Sequence, residues 1–290
     1  DAGTHVGGGF NALVAARRMG AEAVSLSPIG AGPHASLITD ALAREGIVDA
    51  GPRVEGVDNG FCVALIDSRA ERTFISTKGA ETMTPASAWA DFVRTMNPGD
   101  VLYIDGYLMD HPANREAAEA ALRVLPEGVR VVLDVSPVIG IPDGLPPTSL
   151  ISMSTSEAAS LWQDADRKAI NVRSWLPAED ASIAMATLLQ RDVVVRAGKD
   201  GAYFTRYADS AELTSTHVPP LSVEAIDTNG AGDAHTGVLA ACLGEGMSLE
   251  RGLLLANCAG ALASTAVGPA TCPPRPQIEA AADTPAEQED

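Results

Sequence analysis

Seven residues, Asp227-Thr-Asn-Gly-Ala-Gly-Asp233, set two carboxylates around small residues at the threshold of the helix-like run AHTGVLAACLGEG. Gly230 and Gly232 let the backbone approach a ligand closely. The amides that open a helix lack partners within it, so aimed together they make an anion hole. Asp233 falls in the same first turn. A carboxylate beside an anion hole is unfavourable if the site only binds anions. It is useful if it takes a proton from a hydroxyl attacking a phosphoryl group that the amides of Gly230, Ala231 and Gly232 hold. Preorganised N–H donors then stabilise charge where it develops. The structural alternative is that Asp227 caps the helix and Asp233 complements its dipole.

A second glycine cluster, Gly7-Gly-Gly-Phe-Asn-Ala12, fits G-x-G-x-x-A, the dinucleotide pattern. That pattern needs a strand directly before it and an acidic residue ending the next strand, to hold a ribose. Only DAGTHV precedes it, and VSLSPIG ends without an acid. The cluster reads instead as a glycine turn into a helix. Asn11, in the first turn, suits a hydroxyl-rich ligand.

The elements that must position these residues alternate. NALVAARRMG reads as a helix stopping at Gly20, AEAVSLSPIG as a buried strand, and ASLITDALAREG as a helix closed by Gly46. Residues 47–81 break the rhythm: GFCVALID, a turn at SRAE and RTFISTKGA read as antiparallel β. Alternation resumes with a helix over 86–96, the strand DVLYIDGY, the helix NREAAEAALRVL, the strands VRVVLDVS and SLISMS, and a helix from Glu157. A helix at DASIAMATLLQ, the strand DVVVRAG and a hairpin of GAYFTRY with STHVP follow. Two helices over 230–244 and 249–266 lead to the polar tail DTPAEQED, which reads as disordered.

At 290 residues and 46% hydrophobic, the chain can bury a large core. A net charge of −18 argues against nucleic acid and anionic membranes as partners. The most apolar run, residues 252–268, is too short and too polar for a membrane span. Cys62, Cys242, Cys258 and Cys272 form no CxxC pair, and no amino-terminal signal is visible, so a cytoplasmic protein with reduced thiols is expected.

DTNGAGD with its helix resembles the C-terminal signature of the ribokinase-like, or PfkB, family of carbohydrate and nucleoside kinases. GGGFNALVAARRMG resembles the N-terminal signature, and KGAE, STSEAASL, VVRAGKDGAY and ANCAGALASTAVGPAT extend the likeness to about Pro274. The resemblance implies a three-layer α/β sandwich with a mainly parallel central sheet and a small β lid. The core would span 7–46 and 82–275, the lid 1–6 and 47–81, and an acidic C-terminal tail 276–290. Asp233 would be the catalytic base, with Gly8 and Asn11 on the substrate. Arg196, Gly198, Gly201, Asn257 and Ser154 would line ATP, and Glu157 would order water around magnesium. Some family members bind potassium beside the anion hole. The corresponding positions are Asp227, Asn229, Ala263, Ala266, Gly268 and Cys272.

Three departures stand out. Ser154 replaces the usual Asn of the magnesium motif, and Gly32 stands where the family often has an acid. The family's opening strand, often bearing a substrate-binding Asp, has no counterpart before Gly7. The expected activity is ATP-dependent phosphorylation of a small sugar, with a homodimer through the lid. A nucleoside is the rival substrate, although aromatics are only 4% and leave few rings beyond Phe10 and Phe61 to sandwich a base. A phosphosugar would want cations such as Arg69, Arg72 and Lys78. The rival of another class is a sugar- or nucleotide-binding protein with little transfer activity.

Overall fold

The computed structural model describes residues 3–66, 72–165, 176–209 and 212–284. In chain order these form α1 (Gly9–Arg18), β1 (Val24–Ser25), α2 (Pro33–Glu45), β2 (Val48–Asp49), β3 (Cys62–Ile66), β4 (Arg72–Ser76), α3 (Ala88–Val93), β5 (Val101–Asp105) and α4 (Pro112–Leu122). They continue with β6 (Arg130–Asp134), β7 (Leu150–Ser154), α5 (Thr155–Ala165), α6 (Ala178–Leu189), β8 (Asp192–Arg196), β9 (Ala202–Thr205) and β10 (Ser215–Val218). The last elements are α7 (Ala231–Gly244), α8 (Leu249–Ala263) and α9 (Arg275–Asp283).

Six strands make the central sheet in the order β10-β9-β8-β7-β6-β5. The four from β5 to β8 run parallel, and β9 and β10 add an antiparallel edge. Strand periodicity sorts their side chains into two layers. Val131, Leu133, Val193 and Val195 pack with Leu122, Met185 and Ala186 of α4 and α6. Val132 and Val194 face the other way, against Ala15, Val238, Leu239 and Leu253 of α1, α7 and α8. Burial on both faces explains why these strands read as near-continuous apolar runs. The apolar run 252–268 is largely α8, with Leu253, Leu255, Ala256 and Ala259 in the core. Among the described residues no helix is long and apolar enough to cross a membrane.

The hairpin β3–β4 stands apart from the sheet, paired from Cys62↔Ser76 to Ile66↔Arg72. Its connection, the SRAE turn, lies outside the described residues. Three boundaries differ from expectation. Residues 48–54 run parallel to 24–29 instead of joining the hairpin, through Val48 N–H to Ala23 (2.9 Å), Ala50 N–H to Ser25 (2.9 Å) and Val54 N–H to Ile29 (2.9 Å). The projecting lid therefore starts near Gly60, not at 47. Of the opening segment, the described residues 3–7 carry no strand. Residues 275–283, placed partly in the tail, form α9 instead, because Ile278 is fully buried against the core and Arg275 pairs with Glu245 (2.7 Å) and Glu279 (2.7 Å). Of DTPAEQED, residues 285–290 lie outside the described residues.

Candidate active site

Parallel strands present their carboxyl ends to one crevice, where open α/β sheets bind ligands. Here those ends carry Asp105 of β5, Asp134 of β6, Ser154 of β7 and Arg196 of β8. The N-terminus of α7 closes over them. Gly230 caps it at φ +77, and a Cβ there would overlap the carbonyl of Pro269, so only glycine fits. α1 approaches α7 closely because Gly237 lies on the carbonyl of Ala12, where a side chain would clash. That contact brings Asn11 to Asp233: the Asn11 amide donates to Asp233 Oδ2 at 2.7 Å. Asn11 is buried, and its Oδ1 has no hydrogen-bond partner among the described residues.

Asp233 sits at the helix mouth, as the sequence suggests. Burial raises its pKa above the ordinary carboxylate range. The Asn11 bond opposes the rise, Asp134 and Glu157 add to it, and Arg196 counters them. A raised pKa makes a carboxylate a stronger proton acceptor when ionised. Asp105, not singled out in the sequence, lies in the field of Asp233 and Asp134. Burial, chiefly, pushes it up to about 7 although the Leu108 amide bonds it. Partial burial raises the pKa of the Tyr107 phenol, and Asp233, Asp105 and Cys62 of the lid add to the rise. The signal for Asp105 and Asp134 was available. Each ends a β-branched strand, VLYID and RVVLD, where a parallel sheet puts ligand contacts.

Arg196 turns inward. Its guanidinium donates to Asp134 at 2.6 and 3.0 Å, to Ser152 at 3.0 Å, to Thr236 at 2.6 Å and to Glu157 at 3.2 Å. Thr236 passes a bond on to Asp134 at 2.7 Å. Burial disfavours the charge, but Asp134 and Glu157 outweigh it and hold the pKa above its ordinary value. A Cβ on Gly232 would stand 3.8 Å from the guanidinium carbon. Arg196 thus sets positive charge directly beneath the first turn of α7.

The other expected nucleotide residues divide. Gly198 (φ +59) faces open space, so a ligand can approach it, whereas a Cβ on Gly201 would overlap the Val218 carbonyl. Asn257 is held within the body: its amide donates to Val218 (3.0 Å) and Pro219 (2.9 Å), and its carbonyl meets His235 Nε2 at 3.1 Å. Burial drives His235 down to about 3, so it stays neutral. Ser154 and Glu157 form a reciprocal capping box on α5. Ser154 N–H donates to Glu157 Oε2 (2.6 Å), and Glu157 N–H to Ser154 Oγ (3.2 Å). Gly8 caps α1 at φ +63. Of the three amides expected to form an anion hole, that of Ala231 bonds back to Thr228 at 3.3 Å. Asp227 accepts from the amides of Asn229 (3.0 Å) and Gly268 (3.1 Å), tying the anion-hole loop to the C-terminal loop that holds Ala263, Ala266, Gly268 and Cys272.

At position 32, where the sequence has glycine, a carboxylate from elsewhere in the chain packs against the backbone. A Cβ on Gly32 would stand 2.5 Å from the Asp58 carboxyl carbon. That carboxylate accepts from the amides of His34 (3.0 Å) and Ala35 (2.9 Å), capping α2 from a distant segment. Beside it, Glu81 joins the two roots of the lid, accepting from Gly60 (2.8 Å) and Gly79 (2.7 Å). Phe61 leaves the root beside His34, with ring centroids 5.3 Å apart, while Phe10 packs into the α1–α2 core. Lys78 pairs with Asp110 at 3.2 Å; Arg69 and the side chain of Arg72 lie outside the described residues.

Among the described residues no cluster of His, Cys, Asp and Glu could hold a metal alone. The donor set suits magnesium that arrives on a nucleotide and keeps its waters.

Comparison with known proteins agrees with this geometry. Residues 3–276 match the pfkB family carbohydrate kinase. The chain is 33% identical over 272 residues to the uncharacterized sugar kinase YegV of Escherichia coli K12, across 91% of this chain and 78% of that protein. A ribokinase of Arabidopsis thaliana complexed with ribose and ATP superposes with a TM-score of 0.71 at 21% identity, covering 95% of this chain and 86% of that one. A fructokinase of Vibrio cholerae in its fructose, ADP and calcium-bound form gives 0.75 at 21% identity, over 96% and 91%. The structural likenesses establish the fold, and the sequence matches establish descent. The chain belongs to the PfkB family of carbohydrate kinases, ATP-binding enzymes that transfer a phosphoryl group to an alcohol.

Proposed function

We propose that this kinase phosphorylates a hydroxyl of a small sugar, with Asp233 as general base. The observation that carries the reading is Asp233 itself. Its carboxylate is half-buried at the N-terminus of α7, held at 2.7 Å by Asn11, and its pKa is raised. The pocket walls favour a hydroxyl-rich ligand. Asn11 Oδ1 is an unmatched acceptor among the described residues, and Asp105 and Asp233 add acceptors, while Tyr103 and Tyr107 are rings in the field of both acids.

Asp233 takes the proton from the attacking hydroxyl. That oxygen bonds to the γ-phosphorus as the bond to the β-phosphate oxygen breaks and ADP leaves. Charge on the transferring group meets the amides of Gly230–Gly232, backed by Arg196. Magnesium bound with ATP would neutralise phosphate charge. Glu157 uses Oε2 for its cap and for Arg196, so Oε1 is the oxygen that would take part in holding a hydrated magnesium. Val63, Leu65, Phe74 and Ile75 are exposed on both faces of a two-stranded hairpin, a form only marginally stable alone. One face suits the substrate and the other a second copy of the chain. The acidic, thiol-bearing chain fits the cytoplasm.

The test is Asp233→Asn with ATP and a panel of sugars, phosphosugars and nucleosides. Turnover should fall by roughly 10²–10⁴ with ATP affinity retained. A variant that keeps most of its turnover, or a wild type active only on nucleosides, would overturn the reading.

A further inference from the structure

A monovalent cation beside the anion hole requires several oxygens turned toward one point. The positions corresponding to such a site are Asp227, Asn229, Ala263, Ala266, Gly268 and Cys272, and much of that oxygen set already has protein donors. The Ala263 carbonyl accepts the Thr271 hydroxyl at 2.8 Å, and the Gly268 carbonyl lies 3.4 Å from the same hydroxyl. The Cys272 carbonyl accepts from Arg18 at 2.6 Å, and that guanidinium also reaches the Ala270 carbonyl at 3.2 Å. Both oxygens of Asp227 accept amides, from Asn229 and from Gly268.

This loop is the floor of the anion hole. The amides of Ile226 and Asp227 donate to the Ser264 carbonyl at 2.8 and 3.0 Å, and Gly230 rests on the carbonyl of Pro269. Whatever orders residues 263–272 therefore orders the amides that meet the phosphoryl group. Arg18 is well placed to do so. Its other nitrogens are fixed on Glu45 at 3.1 and 2.7 Å, so the charge is anchored on α1 and α2 and only one nitrogen faces the loop. A second cation would meet like charge nearby. It would also have to strip the hydroxyl from the buried Ala263 turn. Cys272 offers a buried sulfur, a poor ligand for a hard alkali ion.

We propose that this kinase needs no potassium: the Thr271 hydroxyl and the Arg18 guanidinium hold the anion-hole floor that a monovalent cation would otherwise hold. Thr271 and Arg18 are positioning residues, since neither reaches the reacting atoms. The inference rests on the kinase reading, but its test does not depend on the sugar.

ATP affinity by calorimetry, and turnover with any accepted sugar, are measured in potassium chloride and in tetramethylammonium chloride at equal ionic strength. Wild-type values should agree within about threefold. Thr271→Val keeps the shape and removes the donor, so in tetramethylammonium it should bind ATP about three- to tenfold more weakly, the worth of one neutral hydrogen bond. Thr271→Ser should restore the wild-type value. A wild type whose ATP affinity or turnover rises more than about threefold with potassium overturns the proposal. So does a Thr271→Val protein that melts and binds ATP like wild type in the organic salt. Lack of turnover with every sugar would count against the sugar assignment alone, because ATP affinity still decides the cation question.

Discussion

Replacing Arg196 by Met tests whether the charge beneath the anion hole holds the site together. The Arg196 side chain is 12% exposed and that of Asp134 2%, and they share bonds at 2.6 and 3.0 Å. Methionine fills much of the volume but leaves Asp134 with the Thr236 hydroxyl and the Ser136 amide (3.3 Å) as its donors. Breaking a buried pair by removing one partner costs about 3–5 kcal/mol, because the remaining charge stays desolvated. In a domain of this size each kcal/mol moves the melting temperature by about 2–4 °C. The variant should therefore melt about 10 °C lower, measured by calorimetry with and without ATP. Arg196→Lys keeps the charge without the fork and should fall between. Adding Asp134→Asn to Arg196→Met removes the orphaned charge, so the double variant should recover part of the loss. A single variant melting within about 2 °C of wild type would refute the reasoning. So would a double variant that is simply the sum of two losses.

Gly230→Ala should lower kcat/KM by about 10²–10³, because a methyl cannot share space with the Pro269 carbonyl and the donors would tilt away; steady-state kinetics within threefold of wild type would count against it. Asp105 has a folded pKa of about 7 against an ordinary 3.8, so the folded state keeps its proton after the unfolded chain has lost it. Wild type should lose stability to this group as pH rises from about 4 to about 7, and Asp105→Asn should not. The melting gap between them should widen from pH 5 to pH 8, and a constant gap would dispose of the idea. Light scattering should show a dimer. Val63→Asp with Ile75→Asp, a cross-strand pair on one lid face, should give a monomer. A wild type monomeric at all working concentrations would remove the lid interface.

Much of this was legible along the chain because it is local. The apolar runs of β5 to β8, the glycine stops at Gly20 and Gly46, and the small residues before Asp233 each report on a few consecutive residues, and each fell in its element. The proposed base and the proposed anion-hole amides are contained in seven residues, so their closeness in sequence alone brings them to one helix mouth. What the sequence could not show are contacts between segments distant in the chain. The Asp58 carboxylate lies against Gly32, 26 positions earlier, because the chain returns there after β2. Arg196 looked like a nucleotide contact at the end of a strand, but the sheet aims it at Asp134 and Thr236, from two other elements. Asn257 in an apolar helix had the pattern of a ligand amide, and only packing showed that His235, Val218 and Pro219 engage it. α9 was hidden because its charged residues look like a tail until Ile278 meets the core. Periodicity records which face of an element is apolar. It does not record which distant polar group completes a site, because that pairing exists only once loops between 26 and more than 200 residues long have closed.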